Sequence, residues 1–132
     1  MEWSVPKDPK PELPIIQHTY DFILYAIPIL NRWPRDHKHL LGDRIAEGLY
    51  NFLEGLVAAR YAKDKAGRLQ HLNGNLDLLR YQFRLSKDLG LMDARRFGHI
   101  AERMQVIGGE LGNWVKHQRS RSGDEFAAAA VP

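Results

Sequence analysis

The sequence has no cysteine, which excludes disulfide bonds, thiolate catalysis and cysteine-ligated zinc. In no stretch do apolar and polar residues alternate with a period of two, the pattern of a half-buried β-strand. The first residues, MEWSVPKDPKPELP, lack the apolar segment of a signal peptide, and no apolar run approaches the ~20 residues needed to span a bilayer. We therefore expect a soluble, cytoplasmic protein that makes no contact with membranes.

The chain does contain enough apolar sequence for one core. It has 132 residues, of which 44% are hydrophobic, as in an ordinary globular domain. Prolines concentrate near the N-terminus, and the last residues, SRSGDEFAAAAVP, show no apolar periodicity. The expected organisation is an extended Pro-rich leader (1–12), a folded domain (13–118) and a disordered tail (119–132).

Four stretches place apolar residues at alternating steps of three and four, the spacing of a helix that buries one side in a bundle. The predicted core positions are Ile16, Tyr20, Ile23, Ile27 and Leu30; Leu41, Ile45, Leu49, Phe52, Leu56 and Ala59; Leu69, Leu72, Leu76, Leu79, Phe83 and Ser86; and Phe97, Ile100, Met104, Ile107, Leu111 and Trp114. Short connections make neighbouring helices antiparallel. The predicted fold is an all-α, antiparallel, up-down-up-down four-helix bundle.

Prolines, glycines and aspartates mark the predicted helix ends. Pro34 separates the first two helices, and Pro28 is expected to kink the first. The segment KDKAG (63–67) is expected to separate the second and third helices. Gly90 is predicted to end the third helix, and Asp93 to cap the fourth.

Glycines also occupy helix interiors, where each costs roughly 0.5–1 kcal/mol relative to alanine. In the second and fourth predicted helices they recur, with other small residues, at steps of three and four. Close approach of another backbone would offset the cost, either between these two helices of one chain or between copies in a homo-oligomer. We expect the oligomer. The interface residues predicted are Gly48, Gly55, Leu85, Leu89, Gly108 and Gly112.

Charge is unevenly distributed along the chain. Residues 1–59 contain 6 Lys/Arg and 8 Asp/Glu, whereas residues 60–121 contain 13 Lys/Arg and 6 Asp/Glu. A cationic second half is typical of proteins with an anionic partner, nucleic acid being the usual one, although a basic solvated surface has the same composition.

Three cations of the third helix, Arg80, Arg84 and Lys87, recur at steps of four and three and so share one side of it; we call them the basic stripe. Asp77 borders the stripe and Asp88 lies well away from it, so we expect the stripe to be unneutralised. Guanidinium groups match the geometry of phosphate and carboxylate groups. Further cations cluster around the connection between the second and third helices, and we expect them also to contact an anionic partner; they are Arg60, Lys63, Lys65 and Arg68.

Catalytic patterns are weak. The histidines of DHKH (36–39) point apart on a helix and no Glu-x-x-His pair is present, so we expect no metal and no cofactor. The segment RWPRDH (32–37) formally matches the Arg-x4–6-His pattern of HEPN ribonucleases, in which both residues act from one helix. Here Trp33 and Pro34 intervene, and the pattern falls on a helix connection. A ribonuclease that uses Arg32 and His37 is the enzymatic alternative to a non-catalytic binding protein.

Four segments together resemble the Avd proteins, the accessory variability determinants of diversity-generating retroelements. The segments are PIIQHTYDFILYAIPIL, LLGDRIAEGLYNFLEGLVAARYA, LDLLRYQFRLSKDLGL and ERMQVIGGELGNWVK. The same pattern is similar to the four-helix proteins encoded in 23S rRNA intervening sequences. The resemblance extends roughly from Leu13 to Lys116, and its most specific parts are GDRI, the LR…FRLSKDL of the third helix and GNWVK.

The resemblance implies a four-helix bundle that assembles into a barrel-shaped pentamer with a basic surface. It also implies binding to the reverse transcriptase of the retroelement and to template RNA or DNA, without catalysis. The binding role would fall first on Arg80 and Arg84, then on Lys87 and on Arg60, Lys63 and Arg68. The intervening-sequence relatives imply a structural four-helix oligomer instead, because they have no reverse transcriptase partner.

Overall fold

The computed structural model describes the backbone of residues 12–130 and the side chains of residues 13–121. The chain forms four long helices: α1 (Glu12–Asn31), α2 (Asp43–Tyr61), α3 (Lys65–Asp88) and α4 (Ala94–Ala130). A short helical turn at Arg35–His37 and a π-helical turn at Lys38–Gly42 lead into α2. No strand occurs among the described residues. The prediction of an all-α fold with four helices is confirmed; most of the predicted leader, residues 1–11, lies outside the described part of the chain.

The helices pack in the order of the sequence, α1 on α2, α2 on α3 and α3 on α4, and α4 closes the bundle by packing on α1. Because α2 and α4 are therefore diagonal partners, direct packing between them does not explain the glycines that both helices carry. The explanation has to come from each glycine's own neighbours.

The cores of α2, α3 and α4 follow the predicted periodicity. All of the predicted positions in these helices are buried except Leu41 and Phe97, which are partly buried. Ser86 is buried as well. Its hydroxyl donates a hydrogen bond of 2.8 Å to the carbonyl of Gln82 in the same helix, so the burial does not leave this donor without a partner.

The predicted core side of α1 is partly wrong. Ile23 and Leu30 are buried as expected, but Tyr20 is 52% exposed. The buried line instead runs one position earlier, and its residues are Ile15, Thr19, Phe22, Ala26, Ile29 and Trp33. Phe22 fixes this rotation by packing edge-on against Phe83, with 5.9 Å between ring centroids. Since α1 is apolar on two sides, periodicity alone did not decide which side faces inward.

The apolar composition of α1 also bears on the expectation that no stretch of the chain is long and apolar enough to span a membrane. By length and composition alone, the stretch Leu13–Asn31 is long and apolar enough to cross a membrane, although the sequence analysis found no run of that kind. In the bundle this stretch supplies Ile15, Phe22 and Ala26 to the core. A core helix passes the same test as a membrane span, so the stretch is weak evidence for a membrane.

The helix ends agree with the predicted boundaries except at one connection. Gly90, with φ +78°, lets the amide of Leu91 reach the carbonyl of Ser86 at 2.9 Å, closing α3 with a Schellman motif. Asp93 Oδ1 accepts a hydrogen bond of 2.8 Å from the amide of Arg96 at the start of α4. The break between α2 and α3 is shorter than KDKAG, because Asp64 caps α3 by accepting from the amide of Gly67 at 3.1 Å.

The last helix extends past residue 118, the predicted end of the folded domain. The backbone of α4 continues as a helix to Ala130, through most of the segment that was assigned to a disordered tail. The predicted end of the domain at residue 118 therefore does not coincide with the end of a helix.

Candidate nucleic-acid interface

The basic stripe lies on the edge of a groove between α3 and α4, which we call the α3–α4 groove. Its volume is about 300 Å³. Two cations of the stripe line it together with apolar and small residues of both helices; the lining is Arg80, Phe83, Arg84, Phe97, Ile100, Ala101, Met104 and Gln105. The cations lie on one side of α3, as their spacing predicts, whereas the surface of α4 that faces them has no signal in the sequence of α3.

Arg80 spans this groove near one end. Its Nη1 donates to Asp77 Oδ1 at 2.6 Å, one turn back along α3. Its Nη2 lies so close to the backbone of α4 at Gly108 that a Cβ there would overlap it. Gly108 is thus the position that admits the guanidinium of Arg80. The prediction of an unneutralised stripe is wrong at this residue, because Asp77 pairs with it.

The other two cations of the stripe have different surroundings. Arg84 is exposed on the rim, and no carboxylate pairs with it among the described side chains. Lys87 lies over the ring of Phe97, with its Nζ 4.9 Å from the ring centroid, a cation–π contact that leaves its charge uncompensated. Among the described side chains, the three cations therefore make a single ion pair, that of Arg80 with Asp77, and the edge of the groove is positively charged.

The two acidic residues of α4 whose side chains the structure describes point away from the groove. Glu110 contacts His18 Nδ1 of α1 at 2.5 Å, and Glu102 lines a separate groove between α1 and α4 together with Asp21. The small and neutral residues Ala101, Gln105 and Gly108 of α4 face the basic stripe instead. Two features that the sequence presents separately, the basic stripe and the small residues of the fourth helix, share one surface.

The second group of predicted cations is not part of that surface. Arg60 lies at the end of α2 over the ring of Tyr61, with 5.5 Å from its Cζ to the ring centroid. Lys63 is exposed in the connection that follows, and Arg68 is exposed near the start of α3. Arg68 and Arg84 are 16 residues apart in one helix, which separates them by about 24 Å along its axis. Two basic regions lie at opposite ends of the bundle.

The predicted oligomer residues divide into two sets, and Gly108, which admits the guanidinium of Arg80, belongs to the first, the set that packing within one protomer explains. A Cβ on Gly48 or Gly55 would meet the side chain of Leu79 at 3.1 Å or that of Leu72 at 2.5 Å, so packing of α2 on α3 already accounts for these glycines. Gly112 has no such neighbour within 4 Å among the described residues. Leu85 and Leu89 of α3 are about half exposed, at 48% and 50%. Only the second set is left without an explanation inside one protomer.

The residues of the ribonuclease pattern do not share a helix. Arg32 follows the end of α1, whereas His37 ends a separate short turn beyond Pro34. Within the described part of the chain, no three His, Asp or Glu side chains come together as a metal site. The arrangement therefore lacks the single-helix geometry on which that pattern depends.

Comparison with known proteins gives one family. The model of the bAvd-like family matches residues 13–118, which include the basic stripe, the α3–α4 groove and the whole of α1, α2 and α3 apart from the first residue of α1. A search of the curated proteins finds no match. The chain belongs to the bAvd-like family, an accessory and non-catalytic family of diversity-generating retroelements.

Proposed function

We propose that the protein is a cytoplasmic homopentamer that binds the reverse transcriptase of a retroelement and its template RNA or DNA, and so supports mutagenic cDNA synthesis. The observation that carries this proposal is the α3–α4 groove, where Arg80, Arg84 and Lys87 make a single ion pair among the described side chains, that of Arg80 with Asp77. Membership of an accessory family supplies the retroelement context.

Phosphate binding explains why the cations are arranged in this way. Each phosphate that a Lys or Arg neutralises releases condensed counterions, so the affinity depends steeply on salt and little on base sequence. One protomer offers few such contacts. A ring of identical protomers repeats the groove around its circumference, and several weak contacts to one strand then act together. A small basic surface on each subunit is therefore sufficient for an oligomer to bind a nucleic-acid strand.

Unburied apolar side chains supply the argument for the oligomer. Leu78, Leu85 and Leu89 project from α3, all of them about half exposed or more. Beside Leu85 and Leu89, and lined in part by Leu78 itself, a groove of about 710 Å³ lies between α2 and α3; its lining includes Gly48, Gly55 and several polar and charged residues. A leucine ridge and a groove that differ in shape fit a head-to-tail interface, the kind that closes into a ring.

Replacing Arg80→Ala together with Arg84→Ala tests the nucleic-acid role. We expect the double variant to lose most of its affinity for template RNA, measured by fluorescence anisotropy at several salt concentrations, and to lose co-purification of the reverse transcriptase. Arg32→Ala with Arg35→Ala is the matched control, because it removes two exposed arginines from the connection between α1 and α2. Equal binding by the two double variants would contradict the proposed site.

Replacing Leu85→Ser together with Leu89→Ser tests the assembly. Sedimentation velocity is expected to show a pentamer for the wild-type protein and smaller species for this variant. Leu40→Ser, at a residue that is 70% exposed beside the π-helical turn, is the control and should leave the assembly unchanged. A wild-type monomer would rule out the oligomer, whereas an oligomer that binds no RNA would identify a purely structural protein.

A further inference from the structure

The floor and the rim of the α3–α4 groove differ in chemistry. Its accessible apolar lining, which we call the floor, consists of the half-buried Phe97 and the exposed Ala101, above the buried side chains of Phe83, Ile100 and Met104. Arg80 and Arg84 stand on one rim, and Gln105 lines the groove from α4. Phosphate binding needs only the rim. The apolar floor therefore points to a ligand that has a flat apolar part as well as a negative charge.

We propose that the α3–α4 groove holds an unpaired base of single-stranded RNA or DNA, with Arg80 and Arg84 on the neighbouring phosphates. This inference rests on the proposed nucleic-acid role and adds the class of substrate. A base covers apolar side chains with its ring faces, and its flanking phosphates are the anions that guanidinium groups bind best.

The size of the groove supports a base as its occupant. A volume of about 300 Å³ is at the lower end for small-ligand pockets, about 300–1,000 Å³ in general. Ala101 is small and exposed, so a flat ring can lie against the α4 side of the groove without moving a helix. The amide of Gln105 offers both a donor and an acceptor to the edge of a base, whichever base is present.

The spacing of the arginines supports a single strand. Arg80 and Arg84 are four residues apart, hence about 6 Å along α3, and consecutive phosphates of an extended strand lie at a comparable distance. In a duplex the bases are stacked inside, and only the backbone would reach the protein. The apolar floor would then remain in contact with water, and its burial would contribute nothing to binding.

Three oligonucleotides of equal length separate the contributions of base and phosphate. We expect the wild-type protein to bind a single strand about tenfold or more tightly than an abasic strand with the same phosphates, as stacking of bases on protein side chains implies. A blunt duplex should bind about as weakly as the abasic strand. Equal affinity for the single strand and the abasic strand overturns the inference while the proposed function stands. No binding of any of the three overturns both.

A variant that fills the groove tests its position. Ala101→Phe places a ring on the α4 side of the groove at an exposed residue, so the core is left intact, which circular dichroism verifies. We expect it to bind the base-bearing single strand as weakly as the wild-type protein binds the abasic strand, with abasic binding unchanged. Ala66→Phe, at an exposed position in the first turn of α3, is the control and should behave as wild type. If Ala101→Phe retains the preference for bases, the base is bound elsewhere and the inference is wrong.

Discussion

The substitution Gly108→Ala adds a single methyl group to the candidate interface. In the folded protein a Cβ at this position would overlap Nη2 of Arg80, so the guanidinium has to leave its place against α4. Because that group is the end of a flexible side chain, the backbone need not shift. The substitution therefore displaces the guanidinium group of Arg80 from its position against α4 and leaves the charge of the side chain unchanged.

Two opposing contributions determine the expected change in stability. Alanine in place of glycine inside a helix stabilises by roughly 0.5–1 kcal/mol. The ion pair between Arg80 and Asp77, with side chains 41% and 60% exposed, contributes at most about 0.2–1 kcal/mol and is lost or weakened. The two nearly cancel, so we expect the free energy of unfolding to stay within about 0.5 kcal/mol of wild type.

Nucleic-acid binding should respond more clearly than stability. If Arg80 contacts one phosphate, its displacement lowers the slope of log affinity against log salt by about 0.7–0.9 and weakens binding at low salt. Gly74→Ala in α3 is the matched control, because its Cβ meets nothing within 4 Å and it should gain stability without any change in binding. Urea unfolding and anisotropy titrations measure the two quantities. An unchanged salt slope for Gly108→Ala would falsify the assignment of Arg80 to a phosphate.

Three further predictions concern Asp77 of α3, Gly55 of α2, which packs on α3, and Gly90, which ends α3. Asp77→Asn removes the carboxylate that pairs with Arg80, so we expect tighter RNA binding with a steeper salt dependence; Glu102→Gln, at an exposed residue of the separate groove between α1 and α4, is the control, and equal effects would indicate net charge alone. Gly55→Ala places a Cβ 2.5 Å from the buried side chain of Leu72 of α3, so we expect urea unfolding to show a free energy of unfolding lower by about 1–3 kcal/mol. A higher free energy of unfolding would show that Leu72 moves aside at little cost. Gly90→Ala puts a side chain on a residue with φ +78° and should lower stability by about 1–2 kcal/mol; a gain like that of Gly74→Ala would refute the role of the left-handed conformation.

The number of helices and most core residues were predictable from the sequence. In α2, α3 and α4, the residues that have helical spacing are also the ones that the packed bundle buries. In α3, the apolar line from Leu69 to Ser86 runs through six positions without a gap, whereas the other leucines, Leu78, Leu85 and Leu89, form a shorter and interrupted set, so the longer line faces inward. The caps at Gly90 and Asp93 were predictable for a similar reason, since each satisfies backbone groups of its own helix. None of these features depends on a distant residue.

The rotation of α1 was not predictable in the same way. Tyr20 and Ile16 have the spacing of core residues, but so do Ile15, Phe22 and Ile29, and burial selected the second set. The choice depends on how the ring of Phe22 fits against Phe83, more than sixty positions further along the chain. Periodicity offers two candidate sides in such a helix, and the packing partner selects one of them.

The sequence by itself determined that Arg80, Arg84 and Lys87 share one side of a helix, because a helix fixes the relative angles of residues three and four apart. Only the tertiary structure decided what faces them. It brought Ala101, Gln105 and Gly108 of α4 against the basic stripe, turned Glu110 toward His18 on the other side and paired Asp77 with Arg80. It also separated the stripe from Arg60, Lys63 and Arg68 at the far end of the bundle. Grooves and charge pairs form between helices, and their residues meet only when the helices pack.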